Sequence, residues 1–294
     1  MRSVLICQHD SLLVREIMPR WLASFTDLAG VLVIREPRGH RLAKVKRSLR
    51  QQGLWGTIDL LAYRLFHRMR HGAGDRQQEA RIRETHGAIY PSVPYQVPML
   101  EVSSPNSTEA QAFIQSCQPE IMLACCKHIL KPAIFEQASQ GTYVMHPGIC
   151  PEYRNAHGCF WALVNGDMER VGMTLLKIDR GIDTGPVYGY FSAPFDEVQE
   201  SHLAIQRRMT YDNLHRVQRV LEQIQAGIAE PISTVGHSSA VWGQPTLSSY
   251  WKWKLAAKLR QEHALSRPNL PILDEPLAPA APEVPQRSRP RIMH

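Results

Sequence analysis

The sequence has no run close to the ~18 consecutive apolar residues of a membrane-spanning helix. It has no CxxC pair, no HExxH and no clustered ligand spacing among its 13 histidines. The usual sequence signals of a zinc site or a dithiol redox centre are therefore missing. No GxGxxG follows the first strand-like run, so the dinucleotide fingerprint is missing too. The six cysteines are scattered, with Cys7, Cys125 and Cys126 in strand-like runs, and read as small buried hydrophobes rather than disulfides or metal ligands. The opening MRSVLICQHDSLL reads as a first strand and its loop rather than an export signal, which makes a cytoplasmic protein the expectation.

What is present is ordinary in bulk and uneven in detail. With 294 residues, 44% hydrophobic and 21% charged, the chain can bury a sizeable core. Its net charge of +7 is concentrated: residues 38–83 hold twelve Lys or Arg against three acids. That excess suits an anionic partner, whether a phosphorylated substrate, a nucleic acid or an acidic membrane surface, or a solvated helix face.

Taken in order, Ser3–Gln8 and Gly30–Arg35 read as buried strands around a helix over Leu12–Phe25, an opening that implies a parallel, right-handed crossover. Leu42–Leu49 and Ile58–Met69 read as two helices. In the second, Ile58, Leu61, Ala62, Leu65, Phe66 and Met69 share one face, edged by Arg64, Arg68 and Arg70. Such a helix either packs on its own domain, the expectation here, or lies on an anionic membrane surface. Met99–Val102 is a short strand, Ser107 or Thr108 caps a helix through Cys117, and Glu120–Cys126 is another strand. Pro132 suits a first helical position. Ser201–Ala226 reads as one long helix that Gly227 stops. Trp242, Tyr250, Trp251 and Trp253 form an aromatic-basic cluster, expected to dock the C-terminal segment. From Arg267 to His294 seven prolines suggest an extended tail.

The chemistry concentrates between Val144 and Val187. His146-Pro147 closes a strand there, and Asp183 sits in a loop bracketed by Gly181 and Gly185. A histidine titrates near neutrality, and an aspartate can orient its ring and stabilise the cation, which together suit proton transfer during acyl transfer.

The run HPGICPEYRNAHGCFWALVNGD, followed by VGMT and DRGIDTGPV, resembles the signature of the 10-formyltetrahydrofolate-dependent formyltransferases. The resemblance implies an open, mostly parallel Rossmann-like α/β sheet. It places the formyltransferase domain at residues 1–195, with a basic helical insertion at about 38–90. A helical and aromatic extension at 196–265 and a Pro-rich tail at 266–294 would follow. It implies that His146 and Asp183 are the catalytic pair. Backbone groups of two loops, Lys127-His128-Ile129-Leu130 and Asp179–Ile182 (with Gly181), would hold the folate, and Thr174 fills the family's small hydroxyl position. The implied reaction moves a formyl group from 10-formyltetrahydrofolate, as co-substrate, to an amine of a small molecule, an amino sugar or biosynthetic intermediate that can be phosphorylated or nucleotide-linked. No metal and no nucleic acid are expected, membrane contact is not favoured, and a homo-oligomer is compatible. The sequence departs from the family at Val144, where the Asn-x-His-Pro motif has an asparagine that donates to the formyl oxygen. That departure leaves room for a hydrolase or another acyl or carbamoyl transferase on the same pair, or for a non-catalytic binding protein.

Overall fold

The structure, a computed structural model, describes residues 1–36, 40–93 and 96–266. The chain opens with β1 (Arg2–Gln8), α1 (Leu12–Ala23) and β2 (Asp27–Ile34), then a long helical span α2 (His40–Ile89). Next come β3 (Met99–Val102), α3 (Thr108–Cys117), β4 (Ile121–Cys125), α4 (Pro132–Phe135), β5 (Gly141–His146), β6 (Arg154–Asn155) and α5 (Gly158–Asn165). The hairpin β7 (Met173–Lys177) and β8 (Val187–Phe191) leads to α6 (His202–Tyr211), α7 (Leu214–Gln225), β9 (Val241–Trp242) and α8 (Leu247–Ser266).

Seven strands form one sheet in the order β3-β2-β1-β4-β5-β7-β8. The first five are mutually parallel, and β7 and β8 add on antiparallel. The expected open, mostly parallel α/β sheet is therefore present. The parallel strands are β-branched and apolar nearly throughout because helices cover both faces. One face carries Leu5, Trp21, Leu123, Tyr143 and Phe160, and the same cluster takes in Trp253 and Ala257 of α8. The other face packs Ile6, Leu32 and Met122 against Ile114 of α3. Ser107 caps α3 by accepting the Ala110 N–H at 3.1 Å, and Pro132 stands at the first position of α4, both as expected.

The two helices expected within 38–85 are present, meeting at a kink at Gly53 with φ 70° and ψ −175°, and the second runs on to Ile89. Two expectations change. The face of Ile58, Leu61, Leu65 and Met69, expected to pack inward, is exposed. The helix buries Thr57, Leu60, Tyr63 and His67 instead. Polar atoms of the inner face are tied to α6 and α8: the Tyr63 hydroxyl pairs with His202 Nδ1 at 2.8 Å, and His71 Nε2 pairs with the Tyr250 hydroxyl at 2.9 Å. Apolar periodicity alone could not identify the inner face, because the buried side here is aromatic and imidazole-rich. Finally, Ser201–Ala226 is two helices, broken at Asn213, whose amide donates to the Met209 and Ser192 carbonyls.

The aromatic cluster docks α8 as expected. Tyr250 and Trp253 are buried, and the Lys254 ammonium lies 4.0 Å over the Trp253 ring. That ammonium donates to the carbonyls of Glu197, Val198 and Glu200. Burial pulls the Lys254 pKa down to about 8, even though nearby carboxylates oppose the shift. The Pro-rich tail lies outside the described residues. Among those described, no helix is long and apolar enough to cross a membrane.

Candidate active site

His146 is the last residue of β5 and is 4% exposed. Its Nε2–H donates to the Tyr153 carbonyl at 2.8 Å. A carbonyl can only accept, so Nε2 keeps its hydrogen and Nδ1 is the nitrogen left to gain or lose one. Nδ1 faces Asp183 Oδ2 at 3.3 Å. The two residues singled out from the sequence are thus brought together through Nδ1.

The route by which Asp183 arrives differs from a simple loop beyond parallel strands. β7 runs antiparallel to β5, with His146 opposite Thr174 and Tyr143 opposite Lys177. The loop after Lys177 therefore starts at the far end of the ladder and folds back to reach His146. Asp183 closes it in a left-handed conformation, φ 52°. Its carboxylate accepts the Asn155 N–H at 2.8 Å, and Arg154 donates to the Ile182 carbonyl at 2.9 Å. Asp179 tightens the loop start by accepting from the Gly181 N–H and the Thr184 hydroxyl. Asn155 and His157 also have positive φ, 77° and 53°. Three non-glycine residues in this sparsely populated region, gathered around one carboxylate, mark a site whose geometry the surrounding bonds enforce.

Gly148 makes the His146 contact feasible. A Cβ there would lie 2.6 Å from the Tyr153 oxygen and 2.9 Å from His146 Nε2, in the path of their hydrogen bond. Thr174, expected beside the cofactor, is fully buried. Its hydroxyl donates to the Gly148 carbonyl and accepts the Cys150 N–H, so it holds the loop after His146 in place. Val144 is on the same face of β5 as His146 and packs with Cys150, Leu176 and Val187. It offers no donor. Nor does Asn155 substitute freely, since its amide donates to the Trp242 carbonyl at 2.7 Å.

The loop expected to hold the folate follows β4. Lys127 is exposed, 3.8 Å from Asp10, His128 faces Glu36 at 3.7 Å, and Leu130 is buried. Ile129 stands 66% exposed, as does Ile182 to a lesser extent on the Asp183 loop. Asn106 clamps the backbone here, donating to the Ile129 carbonyl and accepting the Lys131 N–H.

A cavity of about 220 Å³ opens between α2, α6 and the residues before α8, lined by Tyr63, Arg64, His67, Arg68, His157 and His202. Burial pushes the His157 pKa down to about 4, with the Lys127 charge adding to the effect. Burial also holds His202 well below the usual imidazole range. His157 Nδ1 and His202 Nε2 are buried with no hydrogen-bond partner among the described residues. Sequence reasoning did not assemble this cavity, because its residues lie far apart in the chain, from Leu60 to Pro245. It did single out the basic edge at Arg64 and Arg68. Among the described residues no group of three or more His, Cys, Asp or Glu could hold a metal ion.

Residues 74–221, half of the chain, match the model of a family described as formyl transferase. The chain is similar to methionyl-tRNA formyltransferase of Pelobacter propionicus, at 30% identity over 141 residues, 47% of this chain and 43% of that one. It is similar to the same enzyme of Thermotoga maritima, at 28% identity over 149 residues, 50% and 47% of the two chains. The matches thus span less than half the length of these curated relatives. Among solved structures, a sugar N-formyltransferase from Shewanella has the same fold, with a TM-score of 0.50 at 14% identity over 87% of this chain and 88% of that one.

Proposed function

Since the chain belongs to the formyl transferase family, we propose that it transfers a formyl group from 10-formyltetrahydrofolate to the amine of a small molecule, an amino sugar or another biosynthetic intermediate. The observation that carries this reading is the His146–Asp183 pair at 3.3 Å, with the Tyr153 carbonyl accepting from Nε2 and leaving Nδ1 to face Asp183.

The residues fit a flat, partly apolar donor. Ile129 and Ile182 present exposed aliphatic side chains from the two loops, and the loop backbones beside them are clamped by Asn106 and Arg154. When bound there, 10-formyltetrahydrofolate supplies the formyl carbon. His146 Nδ1 then holds or delivers the proton that must leave the incoming amine and reach the departing nitrogen. Asp183 keeps the ring aligned and stabilises its cationic form. With valine at 144, the cationic His146 ring supplies charge stabilisation that a side-chain amide would otherwise provide at the developing oxyanion.

The acceptor enters through the cavity beside His157. The residues Arg154-Asn155 that tether the Asp183 loop lead directly into His157, which ties this cavity to the catalytic loops. Arg64 and Arg68, one turn apart at its rim, make no ion pair with any described residue and can grip a phosphate or carboxylate of the acceptor. We place the reaction in the cytoplasm, supported by six cysteines that are all unpaired. The test is mass spectrometry of reactions containing 10-formyltetrahydrofolate and a panel of amino sugars and phosphorylated amines. The expected result is an acceptor gaining one formyl group, dependent on His146. Free formate without a formylated amine points to hydrolysis on the same pair. A formylated aminoacyl-tRNA in parallel reactions, with no small acceptor modified, overturns the acceptor assignment.

A further inference from the structure

Helix α2 presents two unlike sides. Leu54, Ile58, Leu61, Leu65 and Met69 recur at intervals of three and four, with Trp55 beside them, and all six are exposed. The exposure is large where it matters: 81% for Trp55, 77% for Met69 and 62% for Leu65. A second exposed stripe, Trp251, Leu255 and Leu259 on α8, joins the first where the Trp251 ring meets Phe66 at 5.5 Å. Soluble proteins scatter single apolar residues over their surfaces, but a contiguous patch built from two helices calls for something to cover it.

The charges around the patch say what covers it. Arg64, Arg68, Arg76, Lys252 and Lys258 are exposed on the two helices that carry the stripes. The one acid in the stretch from Leu54 to His71 is Asp59, and it is engaged by the backbone N–H of Ser248 at 3.1 Å. On α8 the one acid is Glu262, against Lys252, Lys254, Lys258 and Arg260, so the charges beside the two stripes are predominantly cationic. A two-fold dimer would set this face against itself and bring cation against cation. An anionic bilayer surface meets both features at once: its headgroups neutralise the Arg and Lys border while the apolar stripe enters the acyl boundary.

We propose that the outer face of α2, together with the Trp251–Leu255–Leu259 stripe of α8, docks the protein on an anionic lipid surface, with the helices lying in the plane of the interface. This docking is independent of the acceptor's identity. It makes the apolar face the anchor and the cations the selector of lipid charge. Arg64 and Arg68 lie between this face and the acceptor cavity, so the mouth of that cavity opens beside the membrane.

The test is sedimentation of the full-length protein with vesicles of phosphatidylcholine alone and of phosphatidylcholine mixed with phosphatidylglycerol. Wild type is expected to sediment with the mixed vesicles and not with the neutral ones, and to be released by high salt. The triple variant Trp55→Ser, Leu65→Ser, Met69→Ser should lose about a hundredfold in partitioning while keeping wild-type circular dichroism and formyl-donor binding. Arg76→Glu with Lys252→Glu and Lys258→Glu should abolish the preference for anionic lipid. Wild type that stays in the supernatant with every vesicle overturns the proposal. So does a wild-type dimer that the triple variant converts to monomer with vesicle binding unaffected, since the patch would then be a contact between copies.

Discussion

Around His146 the functional polar groups have partners: Nε2 with Tyr153, Nδ1 with Asp183, the Asp183 carboxylate with Asn155, and Thr174 with the loop behind them. Along the outer side of α2 the reverse holds, with large apolar side chains and cations facing outward and nothing among the described residues covering them. The first region is closed by internal bonds and suits bond-making chemistry, which tolerates little misplacement. The second is open and suits a deformable partner. The two should therefore respond to mutation in separable ways.

The largest separation is expected at His146. His146→Ala should lower turnover by about 10³-fold, read as formylated product, while vesicle binding stays at the wild-type level. A variant that lost both would break the comparison. Asp183→Asn keeps the shape but removes the charge that stabilises the ring cation, and should cost about 10²-fold in turnover with donor affinity retained, checked by calorimetry.

Stability should track the inner side of α2 and the docking of α8. Lys254→Ala leaves three carbonyls without their donor and should cost about 2–4 kcal/mol in urea unfolding. The buried imidazoles give a pH signature. Burial lowers the pKa of His67, His71, His157 and His202 below the ordinary 6.5, to about 4 for His71 and His157. The unfolded chain then takes up protons that the folded chain refuses. Stability is present in full above about pH 6.5 and falls as the pH drops towards about 4. Melting curves across that window should steepen this loss in wild type and flatten it in His202→Leu.

The smallest effect sharpens the reading of the valine. Val144→Asn restores a donor beside His146, and turnover should rise by about tenfold. No rise would mean that the cationic ring already supplies what the asparagine would add.

Much of this was legible in the sequence because the relevant signals are local. His146 and Asp183 announce themselves by residue type and by the glycines beside them, and strands β1, β2, β4 and β5 by their apolar runs. Ser107 and Pro132 sit where capping and helix-start rules put them. What escaped was relational. Periodicity located the apolar stripe of α2 but not its direction, because the opposite side is buried through Tyr63, His67 and His71 hydrogen-bonding or packing with α6 and α8. The break at Asn213 depends on a carbonyl of Ser192 from a distant segment. Thr174 was placed correctly on its strand, yet its hydroxyl serves the backbone of the loop after His146. The tether from Asn155 to Asp183 uses a backbone N–H, which no residue type reveals.

That tether has a consequence for how damage would spread. Asn155 holds the Asp183 carboxylate with its backbone and the Trp242 carbonyl with its side chain, and β6 pairs with β9 at Arg154 and Asn155. The start of the C-terminal segment and the Asp183 loop thus both fasten on Asn155. Loosening the chain near Trp242, by a nick or an insertion, would leave the sheet standing while letting Asp183 drift from His146, so that the protein would lose its timing before it lost its shape.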